Sequence, residues 1–270
     1  MSKLSPILCT ILSALVFAGV VNADPYPVNF VTPPSEFTAG SLDKNNGWRV
    51  ANQAPANGDF VIQPGVGLMV VPNTGGSHAL AYAFVADELI AGGRDRSSEG
   101  MPSTFTANFF LKQSSTAGKG ALLGLGWALF IPAGMNNVPF IATFSRHPEM
   151  GGYRLSLGKN SDQTQIAGAA EVGIPEADLG FKDGKSDPLQ LSLTLVNMGQ
   201  PTEWASVCML TNLTTKKTFT LQNTMNAPGV YKADDLIRTI INFRRAGQDG
   251  LDAVVVTEID AEPVPAPTLP

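Results

Sequence analysis

Glu258-Ile259-Asp260-Ala261-Glu262 is the sharpest chemical spacing in the chain. On a strand, positions i, i+2 and i+4 share one face, so the three carboxylates would stand in a row. Two carboxyl groups about 5–5.5 Å apart are what a retaining glycosidase uses, one as nucleophile and one as acid/base. Pro263 and Pro265 follow at once, however, and acidic residues at a strand exit are ordinarily a solvated end. Catalysis is therefore the secondary reading of this row.

Other reactive groups are few. There are two histidines, His78 and His147, and no G-x-S-x-G that would seat a nucleophilic serine beside either. Two His and one distant Cys do not make a zinc set, which needs three or four ligands. Cys208 lies in the apolar run WASVCML, the setting of a buried, inert thiol. The turns LDKNNG, KDGKSD and GQDGLD carry oxygen donors that suit Ca2+, but none follows the twelve-residue calcium loop, and Asp, Asn and Gly in that arrangement are ordinary hairpin chemistry. No cofactor is expected, and Ca2+ is the one metal these turns leave open, without a specific motif for it.

Binding has better candidates in Trp48, Trp127, Arg146, His147 and Tyr153. Sugars present C–H faces to aromatic rings and hydroxyls to planar polar groups, so a sugar site wants an exposed aromatic beside such a group. Arg146-His147 ends the run PFIATFSR just before a Pro-Glu-Met-Gly-Gly turn, and Tyr153 opens the next run. The alternative is that both tryptophans are core aromatics and that Arg146 pairs with Glu149.

The elements that must position these residues are short strands. About a dozen apolar runs, from DFVIQ to LDAVVVTEI, are punctuated by turn residues such as PNTGG, PEMGG and GKNSD. Such spacing predicts an all-β antiparallel sandwich with few short helices. In STFTANFFLKQ, Phe105, Ala107, Phe109 and Leu111 oppose Thr104, Thr106, Asn108 and Phe110; in PLQLSLTLVN, Leu189, Leu191, Leu193 and Leu195 oppose Gln190, Ser192 and Thr194. Each pattern predicts one buried and one wet face. ALLGLGWALFI is apolar on both faces and should lie inside, with Gly124 and Gly126 marking a close approach. VADELIAGG (85–93) and PEADLG (175–180) read as a turn or two of helix, and KADDLIRTIINF as a short helix or a strand.

Residues 1–23 have the layout of a secretory signal peptide: Lys3, an apolar run, and a small-residue end at Ala23. Residues 24–35 are a Pro-rich lead-in, 36–262 the sandwich, and 263–270 a Pro-rich tail. Removing the signal leaves Cys208 as the sole cysteine, so no internal disulfide is expected. The net charge of −5, without a basic run, argues against nucleic acid and anionic membranes as partners. No later run approaches the ~18 apolar residues of a membrane span.

The segment FTAGSLDKNNGW, with Gly40, Leu42, Gly47 and Trp48 in a G-x-L-x-x-x-x-G-W pattern, resembles the start of concanavalin A-like (LamG-type) jelly-roll domains of secreted bacterial proteins. NFRRAGQDGLDAVVVTEID resembles their last strand, which returns to pair beside the first. The Glu258–Glu262 row in turn resembles the E-x-D-x-E strand of laminarinase-like glucanases. The first resemblance implies a jelly roll with frequent carbohydrate binding. Taken together, the expected protein is a secreted, non-catalytic, lectin-like binding or adhesion module for extracellular glycans. A polysaccharide-degrading glycoside hydrolase on the same fold and a structural envelope or matrix protein are the alternatives.

Overall fold

The computed structural model describes residues 27–33, 37–42, 45, 48–52, 59–71, 79–85, 103–114, 118–131, 134–160, 166–197, 203–226, 237–245 and 252–263. The proposed signal segment, His78, most of 85–93 and the tail beyond Pro263 lie outside the described residues.

Alternation along the chain becomes two antiparallel sheets. One has nine strands: β1 (Val28–Asn29), β2 (Gly40–Ser41), β4 (Asp59–Gln63), β5 (Gly67–Val71), β7 (Ser103–Lys112), β12 (Leu189–Asn197), β13 (Glu203–Asn212), β14 (Thr218–Asn226) and β16 (Ala253–Pro263). Their order is β14-β13-β12-β7-β16-β5-β4-β2, with β1 paired to β16. The other has seven strands: β3 (Trp48–Asn52), β6 (Ala79–Val85), β8 (Gly120–Ile131), β9 (Gly134–His147), β10 (Gly152–Asn160), β11 (Ile166–Pro175) and β15 (Ile237–Arg245), in the order β11-β10-β9-β8-β15-β6-β3. Short 3-10 turns follow β9 (Pro148–Met150) and β11 (Glu176–Leu179). The segment 175–180 is thus helical for one turn, whereas the described part of KADDLIRTIINF belongs to strand β15.

The interior follows the period of two. Phe105, Ala107, Phe109 and Leu111 of β7 are buried, as are Leu189, Leu191 and Leu193 of β12, and they face Leu123 and Leu125 of β8, Ala142 and Phe144 of β9 and Leu155 and Leu157 of β10. Their removal from water is the dominant force holding the sheets together. Leu122 through Gly126 are all buried, as expected of a strand apolar on both faces. Cys208 faces the same interior, and burial pushes its thiol up to about 12, which leaves it inert.

The lead-in contributes to this core rather than preceding it. Val28 and Phe30 are fully buried, and Val28–Asn29 adds to β16 opposite Ile259 and Glu258. At the other end Pro263 closes β16 opposite Ser103.

Candidate functional site

Two places gather polar side chains: one end of the sandwich, and the outer face of the nine-stranded sheet. At the sandwich end, β9 and β10 pair so that Arg146 stands opposite Tyr153, and both point into the interior beside Phe144. Asp252, just before β16, meets them there. Its Oδ1 accepts from Arg146 Nη1 at 2.6 Å and from the Ser114 backbone N–H at 2.8 Å, and its Oδ2 accepts from the Tyr153 hydroxyl at 2.6 Å. The Tyr153 ring stacks between Phe144 and Phe181, centroids 5.5 and 6.1 Å away, with the guanidinium 5.7 Å from its own centroid. Burial, then the hydrogen bond to Asp252, raises the phenol well above its ordinary range.

This arrangement answers what Arg146 pairs with: its partner is Asp252, not Glu149. Arg146 and Tyr153 spend their polar groups tying the seven-stranded sheet to the strand that begins after Asp252. Arg146 Nε is buried without a partner.

His147 points the opposite way, as alternation requires, and is buried beneath an exposed ion lattice. Its Nδ1 lies 3.4 Å from Glu149 Oε2 without hydrogen-bond geometry, while Lys119 Nζ holds that carboxylate at 2.7 Å and Arg154 pairs with Glu171 at 2.9 Å. Burial, then Lys119 and Arg154, lowers the imidazole below 6.5. A group whose folded value is depressed contributes stability above its unfolded value and loses it as pH falls. The thermal midpoint will accordingly fall as pH drops through and below 6.5, and His147→Gln will flatten that part of the curve. A slope unchanged by the substitution would remove His147 from this role.

The tryptophans lie elsewhere. Trp127 pairs with Phe140, six residues along β9 from Arg146, or about 20 Å. Trp48 begins β3, the outermost strand, four strand spacings from β9, or about 19 Å. Both side chains lie outside the described set. The five candidates thus divide into an inward pair, Arg146 and Tyr153, His147 on the opposite face of the same strand, and two separate positions.

The second place was legible only as a wet face. Gln190 of β12, Asn108 of β7 and Glu258 of β16 stand side by side across three strands. Gln190 Nε2 donates to Asn108 Oδ1 at 3.0 Å, and Asn108 Nδ2 donates to Glu258 Oε1 at 3.1 Å. Around this ladder are Thr104 and Thr194, their hydroxyls 2.8 Å apart, Thr106, and Met209, exposed at 38%. Two residues from Asn108, on the same face, Phe110 carries the Lys185 ammonium 3.9 Å from its ring centroid. Although β16 is the last strand in sequence, it is central in space, and the register turns Glu258 and Asp260 toward the same side as Asn108 and Thr106 and sets Glu262 opposite Thr104.

The calcium-type turns are used internally where they are described. Asn45 is buried and bonds Thr38 and Ser41 backbone groups. Lys182 and Lys185 close a two-residue turn over Asp183 and Gly184, both at positive φ, which is the primed hairpin that Asp-Gly favours. Asp252 serves Arg146 and Tyr153. Among the described residues no three His, Cys, Asp or Glu side chains gather as a metal set, and no helix is long and apolar enough to cross a membrane.

No family model and no curated protein sequence matches the chain. Its likeness is to solved structures. Lectin II from Ulex europaeus superposes with a TM-score of 0.50 at 12% identity, over 89% of this chain and 100% of that one. The Emp46p carbohydrate recognition domain in its potassium-bound form gives 0.49 at 9%, covering 86% and 96%, and arcelin-5, a lectin-like defense protein from Phaseolus vulgaris, gives 0.46 at 8%, covering 84% and 97%. The likeness to the Ulex protein, with the two described sheets, defines the class: a concanavalin A-like, lectin-type jelly-roll β-sandwich. At such identities it is the fold that is shared, and a fold does not dictate an activity.

Proposed function

We propose that the protein is a secreted, non-catalytic, lectin-like module that binds extracellular glycans through the outer face of its nine-stranded sheet. The observation that carries this reading is the Gln190–Asn108–Glu258 ladder beside Phe110. Planar amides and a carboxylate, fixed by bonds to one another, offer sugar hydroxyls oriented partners, and the adjacent Phe110 ring, once the Lys185 ammonium leaves it, offers a stacking surface. Lectin-type neighbours agree with it, and secretion rests on the layout of residues 1–23. Kinship with LamG-type domains of bacterial exoproteins belongs to the same reading and rests on Gly40, Leu42, Gly47 and Trp48.

A glycan array tests it. The protein should retain at least one glycan class without releasing reducing ends, and Asn108→Ala should weaken that retention about tenfold by breaking the ladder at its middle. Retention of no glycan would sink the reading.

One observation favours a second reading: the Glu258, Asp260 and Glu262 row lies on a spatially central strand. Release of reducing ends from β-glucans, lost in Glu258→Gln, would replace binding with hydrolysis.

A further inference from the structure

At one end of the outer face three lysines converge. Lys112 is the last residue of β7 and shares its outward side with Phe110 and Asn108. Lys185 bridges to Lys112, and Lys182 bridges to Lys185. Antiparallel bridge partners project to the same side with Cβ atoms about 4.5–5.5 Å apart, so the three lysine side chains rise from one corner. All three are exposed. Among the described residues none is ion-paired: the described pairs are Lys119–Glu149, Arg146–Asp252, His147–Glu149, Arg154–Glu171 and Lys217–Asp178. Glu176 is engaged by the side chain of Gln113, the residue after Lys112, at 2.6 Å.

The corner is held in place. Gln113 N–H donates to the Gly184 carbonyl at 2.7 Å, Ser186 N–H to the Leu111 carbonyl at 3.0 Å, and Leu111 N–H to Ser186 Oγ at 2.9 Å. The backbone bearing Lys182 and Lys185 is thereby docked along the end of β7. Like charges set opposite one another destabilise a sheet, and the Phe110 ring relieves only Lys185. A bound anion would relieve all three. The chain is acidic overall, but at physiological salt charges beyond about 8 Å are largely screened, so the local excess, three lysines against Asp183 in the turn between two of them, governs.

We infer that Lys112, Lys182 and Lys185 form an anion subsite, and that the glycan bound on this face carries a carboxylate or sulfate group there. Ammonium point charges serve either anion. Lys185 moves from the Phe110 ring to the anion, which frees the ring for a sugar face. The inference rests on the glycan-binding reading and adds the charge of the ligand.

Isothermal titration of the full chain against polygalacturonate, carrageenan and the neutral glucan laminarin, at low and at physiological salt, tests it. An acidic polymer should bind more tightly than laminarin and weaken with salt, and the carboxylated and sulfated polymers identify which anion is preferred. A K112Q/K182Q/K185Q triple variant should lose about tenfold in affinity for the acidic polymer, and the corresponding triple arginine variant should retain it. Laminarin bound as tightly as the acidic polymers, or affinity unchanged in the triple glutamine variant, overturns the inference and leaves glycan binding standing. No binding to any of the three, with an empty glycan array, overturns both.

Discussion

Asp252→Ala will cost the fold about 3–5 kcal/mol, because it removes one partner of a buried ion pair and leaves the other charged. The Asp252 side chain is wholly inaccessible and that of Arg146 is only 9% exposed. Truncation leaves the guanidinium without its counter-charge, the Tyr153 hydroxyl without its acceptor, and the Ser114 N–H without the oxygen it donates to. Urea unfolding followed by tryptophan fluorescence reads the loss directly, and a thermal midpoint lowered by roughly 6–20 °C should accompany it. Arg146→Met should cost as much, whereas Arg146→Met with Asp252→Leu should cost clearly less than the two singles together, since no charge is then stranded. A loss below about 1 kcal/mol for Asp252→Ala would falsify the view that this cluster is dry and structural.

Phe144→Ala will cost about 3–5 kcal/mol by a different route, the cavity left in a close-packed interior. Phe144 is fully buried, lies at 11° to Tyr153 with centroids 5.5 Å apart, and meets Phe109 of the facing sheet at 5.8 Å. It is therefore both part of the layer between the sheets and a wall of the Arg146–Tyr153–Asp252 cluster. Its loss should couple to that of Asp252, so that the double variant departs from the sum of the singles. The same unfolding curves measure this, and strict additivity would separate the cluster from the core. Against a typical total of about 5–15 kcal/mol, either substitution alone removes a large share of the stability.

Much of the fold was legible because strand burial repeats every second residue. The opposition of Phe105, Ala107, Phe109 and Leu111 to Thr104, Thr106, Asn108 and Phe110 recurs in the burial of β7, and the doubly apolar run Leu122 through Gly126 is buried on both faces. The candidate site was less legible. In the sequence Arg146 and Tyr153 are polar groups beside a loop, and pairing does bring them together, but they face inward. The residue that completes their cluster, Asp252, is by sequence one member of a turn, more than a hundred positions from Arg146 in the chain. The ladder was hidden in the same way: Asn108 and Gln190 were visible as outward residues, yet neither carried a local sign that they would stand shoulder to shoulder with Glu258.

The division follows from the range of the interactions. Alternation, turn chemistry and the inertness of Cys208 depend on neighbours within a few residues, so the sequence alone determined an all-β sandwich, its core faces and the Asp-Gly hairpin at Lys182–Lys185. Strand order depends on pairings between distant segments, and only the tertiary structure decided it. That order placed β16, the last strand, at the centre of the larger sheet, gave Arg146 its partner in Asp252, and set three lysines at one corner of a polar face. Each of these joins charges or amides from separate strands, and no local pattern specifies which strand will lie beside which.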